Sequence, residues 1–166
     1  MKKVAVIGLG IIGGSICASL TKAGIQVDGT DKDESAVKYA LAKGYIQGIA
    51  TDIFLYDVVF IAIPPMATIS VLETEKFKDG ALVSDICGVK SIVENAVYKQ
   101  DRNYRYVAIH PMAGKETSGI SSATPNLFEK ANLIIAVSEH TKTEDLNEVR
   151  EYAKAMRTEQ VFRSSS

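Results

Sequence analysis

Apolar positions along the chain recur with two spacings, one suited to buried strands and one to helices. Val4-Ala5-Val6-Ile7 is wholly apolar and ends on glycine, as a strand covered on both faces would. Residues 11–23 shift to helical spacing, with Ile12, Ile16, Leu20 and Ala23 on one side and Gly24 as the stop. Residues 25–30 predict a second strand. Asp33 then caps a helix that carries Val37, Ala40 and Leu41 and ends at Gly44. The strongest strand is Val58-Val59-Phe60-Ile61-Ala62-Ile63, stopped by Pro64-Pro65. A short helix over 68–72 and a strand over 81–84 follow. Val89, Ile92, Val93, Ala96 and Val97 fall on one helical face. Residues 106–109 and 133–137 predict further strands, and Leu146, Val149, Ala153 and Met156 mark a last helix. This alternation calls for an α/β fold: a doubly wound, mostly parallel sheet with helices on both faces. No repeat, low-complexity tract or linker divides the pattern, so residues 1–163 predict one domain.

Composition narrows the class without naming it. The chain has 166 residues, with 19 Lys and Arg against 20 Asp and Glu, for a net charge of −1. That balance argues against a nucleic-acid partner. Apolar residues at 46% and charged residues at 23% fit an ordinary globule. Cys17 and Cys87 are too few for a disulfide scaffold or a four-thiolate zinc site, so no metal is expected. Met1-Lys2-Lys3 and the apolar run to Leu20 imitate an export signal, yet that run holds Gly8, Gly10, Gly13 and Gly14. A strand, a turn and a helix account for each of those glycines. No other stretch approaches the ~20 apolar residues that cross a bilayer. The expectation is a cytoplasmic protein with no membrane partner.

Gly8-Leu9-Gly10-Ile11-Ile12-Gly13 is a G-x-G-x-x-G run set between the first strand and the first helix. Alone the pattern is weak, because glycine-rich turns are common. The context strengthens it: Asp31 ends the second strand about 20 residues past Gly13, the spacing of a dinucleotide-binding, Rossmann-type turn. Gly8 would permit the tight turn, Gly10 the approach of backbone to pyrophosphate, and Gly13 the close packing of helix on strand. The helix N-terminus offers unpaired N–H groups and partial positive charge. Asp31 would accept from the ribose hydroxyls and repel a 2′-phosphate, which favours NAD, with neighbouring Lys32 pulling the other way. Ile63, Pro64 and Pro65 end their strand where ligands bind in open sheets, although Pro65 could equally be a plain strand stop. Asp85-Ile86-Cys87-Gly88 occupies the same edge; Cys87 could lie near the nicotinamide, but such a residue is more often space-filling. His110 follows the 106–109 strand directly, and its unperturbed pKa of about 6.5 suits proton transfer. A strand-end histidine alone is more often structural; a dinucleotide site on the same edge reverses that reading. His140 lies in a polar loop and reads as solvated.

Together these pieces resemble the prephenate dehydrogenase family, the NAD-dependent enzymes of tyrosine biosynthesis. The matching residues are Gly8 to Gly13 with Asp31, the Ile61-Ala62-Ile63-Pro64-Pro65 strand end, and Asp85 through Lys90. Most specific is His110-Pro111-Met112-Ala113-Gly114, continuing to Lys115-Glu116-Thr117-Ser118-Gly119 and later Leu127-Phe128. The resemblance implies oxidative decarboxylation of prephenate, or of arogenate, to the aromatic product. Hydride passes to NAD from the ring carbon bearing the 4-hydroxyl, the carboxylate leaves as carbon dioxide, and His110 draws off the hydroxyl proton. It also implies substrate contacts at Gly88, Gly114 and Lys115, the last as a cationic anchor for a dianion.

Two departures stand out. Many family members carry a serine where Gly88 stands, and glycine supplies no hydroxyl. The family also has a carboxy-terminal helical domain that dimerises and provides an arginine for the substrate carboxylate. This chain stops at Ser166. The expectation is therefore a nucleotide-binding domain without that partner domain, with the fuller form a homodimer through the partner domain. Two other readings remain: a NAD-binding module without turnover, and a β-hydroxyacid dehydrogenase, which the His110 motif speaks against.

Overall fold

The computed structural model describes residues 1–87, 92–113 and 117–164. The chain runs β1 (Val4–Ile7), α1 (Ile11–Lys22), β2 (Val27–Thr30), α2 (Glu34–Ala42), β3 (Gly48–Ile49), β4 (Val58–Ile61), α3 (Pro65–Thr74) and β5 (Leu82–Asp85). It continues through α4 (Ile92–Tyr98), β6 (Arg105–Tyr106), β7 (Ile109–Pro111), β8 (Asn132–Val137), α5 (Thr143–Ala155) and β9 (Glu159–Ser164). Six strands form a parallel sheet in the order β3-β2-β1-β4-β5-β6. Strand order reverses between β1 and β4, and a crevice opens at such a switch point beyond the carboxyl ends of the strands.

The wholly apolar strands are explained by burial on both faces. In β1, Val4 and Val6 pack into one core and Ala5 into the other. In β4, Val58 and Phe60 go one way while Val59 and Ile61 go the other. The first core takes Ile16 and Leu20 of α1, Val37 of α2 and Val149 of α5. The second takes Leu72 of α3 and Val93 and Val97 of α4. This is the expected doubly wound arrangement. Asp33 caps α2 as its spacing predicts, its carboxylate accepting the Ser35 N–H at 3.0 Å.

The stretch after residue 105 corrects one expectation. Residues 106–109 are not a single strand. β6 ends at Tyr106 on the parallel sheet, while β7 belongs to a second sheet ordered β7-β8-β9. The switch falls within one residue: the Val107 N–H still donates to the Val83 carbonyl, at 3.1 Å. The next carbonyl, on Ala108, accepts from Ala136 on β8 at 3.0 Å. Buried Ser84 braces the corner by donating to the Val107 carbonyl at 2.6 Å. His110 therefore sits in mid-strand, on an antiparallel pair with Ile134 opposite, and not at the end of a parallel strand. Pro64 and Pro65 do more than stop β4, since Pro65 opens α3 at a position where a missing N–H costs nothing. Among the described residues no helix is long and apolar enough to cross a membrane.

Candidate functional site

At the β1/β4 switch point lies a pocket of about 500 Å³, within the range of small-molecule sites. Its floor is Ile7, Gly8 and Gly10, one side is Thr30, Asp31 and Lys32, and the other is Ala62, Ile63, Pro64 and Ala67. Sequence reasoning had Gly8, Gly10, Asp31, Lys32, Ile63 and Pro64. It missed Ile7, Thr30, Ala62 and Ala67, which carry no chemical signal beyond their place at strand and helix ends. Pro65 does not line the pocket.

The glycine turn is built by contacts that only glycine allows. Gly8 has φ +100°, and a Cβ there would come within 2.3 Å of the Ala62 carbonyl oxygen. At Gly13 a Cβ would lie 1.8 Å from the Gly8 oxygen, so α1 could not close onto the turn. Gly10 differs: a Cβ would meet nothing within 4 Å. Leu9 buries its side chain in the core and donates its N–H to Asp31 Oδ2 at 2.7 Å. Ile11 and Ile12 form the first turn of α1, which has no side-chain cap and no acidic residue. Helix amides there have no partner within the helix and carry the partial positive charge of its N-terminus.

Asp31 anchors both neighbours, accepting from Leu9 on one oxygen and from the Asp33 N–H at 2.8 Å on the other. A carboxylate has about four acceptor positions, so capacity remains on each oxygen for hydroxyl donors. These residues fit a dinucleotide: donors for phosphates at α1, open space over Gly10, and an acidic acceptor at the end of β2. The same acid disfavours an added phosphate on the ribose.

The second half of the site surrounds β5. Ile86 continues the sheet by donating to the Ile61 carbonyl at 3.2 Å. Cys87 Sγ reaches the Ile63 carbonyl at 3.4 Å and Thr68 Oγ1 at 3.5 Å, just behind the pocket wall. Burial pushes its thiol up to about 11, so at neutral pH it is a packing thiol and not a nucleophile. In β7 the neighbours Ile109 and Pro111 are buried, whereas His110 is half-buried and turns the opposite way. Its Nδ1 meets the Ile86 carbonyl at 3.3 Å. A short chain of contacts thus runs from His110 through Ile86 and Cys87 to Ile63 on the pocket wall. His140 lies elsewhere, its ring 4.5 Å from that of Tyr98. Gly88, Gly114 and Lys115 lie outside the described residues.

A model of the prephenate dehydrogenase nucleotide-binding domain matches residues 16–161. The match begins inside α1, so the glycine turn rests on its own geometry. Prephenate dehydrogenases of Lactococcus lactis subsp. cremoris and Bacillus subtilis are each 33% identical to the chain, over 94% and 89% of its length. The matched regions cover 45% and 42% of those proteins, so the chain spans less than half the length of the curated relatives it matches. A crystal structure of prephenate dehydrogenase from A. aeolicus, in complex with hydroxyphenyl propionate and NAD+, superposes with a TM-score of 0.82 at 26% identity. That superposition covers 99% of this chain and 60% of the other.

Proposed function

The chain belongs to the prephenate dehydrogenase family through that family's nucleotide-binding domain, and from this premise we propose that it holds NAD at the switch-point pocket and supplies His110 as proton acceptor for oxidative decarboxylation of prephenate. Arogenate, which carries an amino group in place of the keto group, would undergo the same ring chemistry. The observation that carries the reading is His110 reaching across from the second sheet to the carboxyl edge of β5, beside the pocket wall.

Each residue has a defined task. First-turn amides of α1, with Gly10 leaving room, hold the pyrophosphate. Asp31 accepts from the ribose hydroxyls and selects against a 2′-phosphate. Ile63 and Pro64 give the pocket an apolar wall that limits water near the reacting ring. NAD, when bound, supplies the hydride acceptor. His110 takes the proton of the 4-hydroxyl as the carbonyl forms, and the gathering electron density makes the hydrogen on that carbon easier to release as hydride. The bond to the ring carboxylate breaks, the carboxylate leaves as carbon dioxide, and the electron pair of that bond stays in the ring, whose aromatisation drives the step forward.

The test is a substrate panel with NAD, following absorbance of the reduced cofactor, run on the protein that carries this chain. Reduction with prephenate or arogenate is the expected result. Reduction with β-hydroxyacids alone would replace this reading by the dehydrogenase chemistry of the wider fold, and NAD binding without reduction of any substrate would leave a binding module.

A further inference from the structure

Asp85, the last residue of β5, is fully buried at 0% exposure. Burial pushes its carboxyl upward, and hydrogen bonds oppose that, chiefly from the Tyr106 hydroxyl and the Cys87 N–H. Cys87 donates to Asp85 Oδ1 at 2.9 Å, and Tyr106 donates to Oδ2. Tyr106 is itself buried, and burial together with the Asp85 charge keeps its hydroxyl protonated. A buried carboxylate weakens a fold unless its donors compensate, so stability alone gives little reason for one at this strand end.

The consequence lies in the peptide that Asp85 grips. The Cys87 N–H and the Ile86 carbonyl belong to one planar trans peptide, in which they point in opposite directions. Holding the N–H fixes the direction of the carbonyl. That carbonyl is the partner of His110 Nδ1, at 3.3 Å. A carbonyl only accepts, so the contact requires the proton on Nδ1 and leaves the lone pair on Nε2. Tyr106 closes the circuit, since it stands at the end of β6 just upstream of β7 and ties that segment to the same carboxylate.

We propose that Asp85 and Tyr106 are positioning residues that orient the Ile86–Cys87 peptide and thereby hold His110 in its Nδ1–H tautomer, with Nε2 as the proton-accepting atom. The role given to Nε2 rests on the function proposed above; the tautomer does not.

The experiment is nitrogen-15 NMR of the imidazoles in histidine-labelled protein at about pH 8, where an ordinary histidine is neutral. The chain has two histidines, and the His110→Asn spectrum assigns them. Wild-type His110 is expected to show the Nδ1–H pattern. In Tyr106→Phe, and in Asp85→Asn as a second variant, the signal moves toward the Nε2–H form that free histidine prefers. Where turnover is measured, Tyr106→Phe lowers kcat roughly five- to tenfold, the worth of one hydrogen bond, with KM for NAD unchanged. A wild-type His110 that is mainly Nε2–H overturns the proposal. So does a tautomer unmoved in both variants while their thermal melts remain cooperative. The expected tautomer in a protein whose His110→Asn form keeps full turnover would overturn the functional reading and leave the positioning intact.

Discussion

Gly8 and Gly10 stand two residues apart and answer to opposite demands. Gly8 is required by the protein itself, through its positive φ and the Ala62 carbonyl against its missing side chain. Among the described residues nothing in the fold requires Gly10, since a Cβ there meets none of their atoms within 4 Å. Gly8→Ala is therefore expected to destabilise by about 3 kcal/mol or more, from strain and clash together. Gly10→Ala should leave the thermal midpoint unchanged and weaken NAD binding roughly tenfold, or about 1.4 kcal/mol. Calorimetric titration and a melt on each variant check both. The sequence carried this pair legibly, because glycine at fixed spacing is a backbone signal. It could not show that Leu9 and Asp33 both donate to Asp31, or that His110 leans on Ile86. Those partners are backbone atoms, which every residue owns and no residue type announces.

At the scale of elements, the apolar pattern located β1, β2, β4 and β5 of the parallel sheet and failed where buried chain changes sheets. Residues 106–109 are all buried, so periodicity reads one strand across a corner that only hydrogen bonding reveals. β3 has two residues and too little pattern to detect. β9 runs along β8, yet Val161 and Phe162 remain 41% and 46% exposed, and two apolar residues between Gln160 and Arg163 are too short a pattern to predict a strand. α5 is fastened by ions as well as by its core face. Arg105 of β6 meets Asp145 at 3.0 Å and Glu148 at 2.9 Å, and Lys2 meets Glu148 at 2.8 Å. Burial alone would raise the Glu148 carboxyl, but hydrogen bonds from Lys2 and Arg105 outweigh it and hold the group below its ordinary range. A depressed carboxyl stabilises the fold above its unfolded pKa and loses that contribution as pH falls through the folded value. Arg105→Met should thus cost about 1–2 kcal/mol at neutral pH, with the gap from wild type narrowing below about pH 4 in denaturant titrations. The end of α5 offers a gain instead. Arg157 has φ +63° just past the helix, where the Thr158 N–H reaches back to the Ala153 carbonyl at 3.2 Å. This is a turn that favours glycine, and Arg157→Gly should stabilise by up to about 1 kcal/mol in the same titrations.

In the whole molecule, the parallel sheet provides the pocket and the second sheet provides the histidine. The corner at Val107 and Ala108 lets one continuous segment serve both. It carries the chain off β6 and brings His110 back over the edge of β5, so the pocket and the proposed proton acceptor belong to different sheets. The near-neutral surface and the single-domain length describe an ordinary globule and say little about chemistry. The glycine turn and the His110 stretch carried the functional reading; the turn lies at the switch point of the parallel sheet, and His110 comes from the second sheet to the Ile86 carbonyl after β5. The most direct measurement is NAD reduction with prephenate by the wild-type and His110→Asn forms of the protein that carries this chain, with NAD affinity measured alongside. The expected result is unchanged affinity with turnover lower by ~10²–10⁴, the usual worth of a general base. Turnover by His110→Asn close to that of wild type would contradict the account.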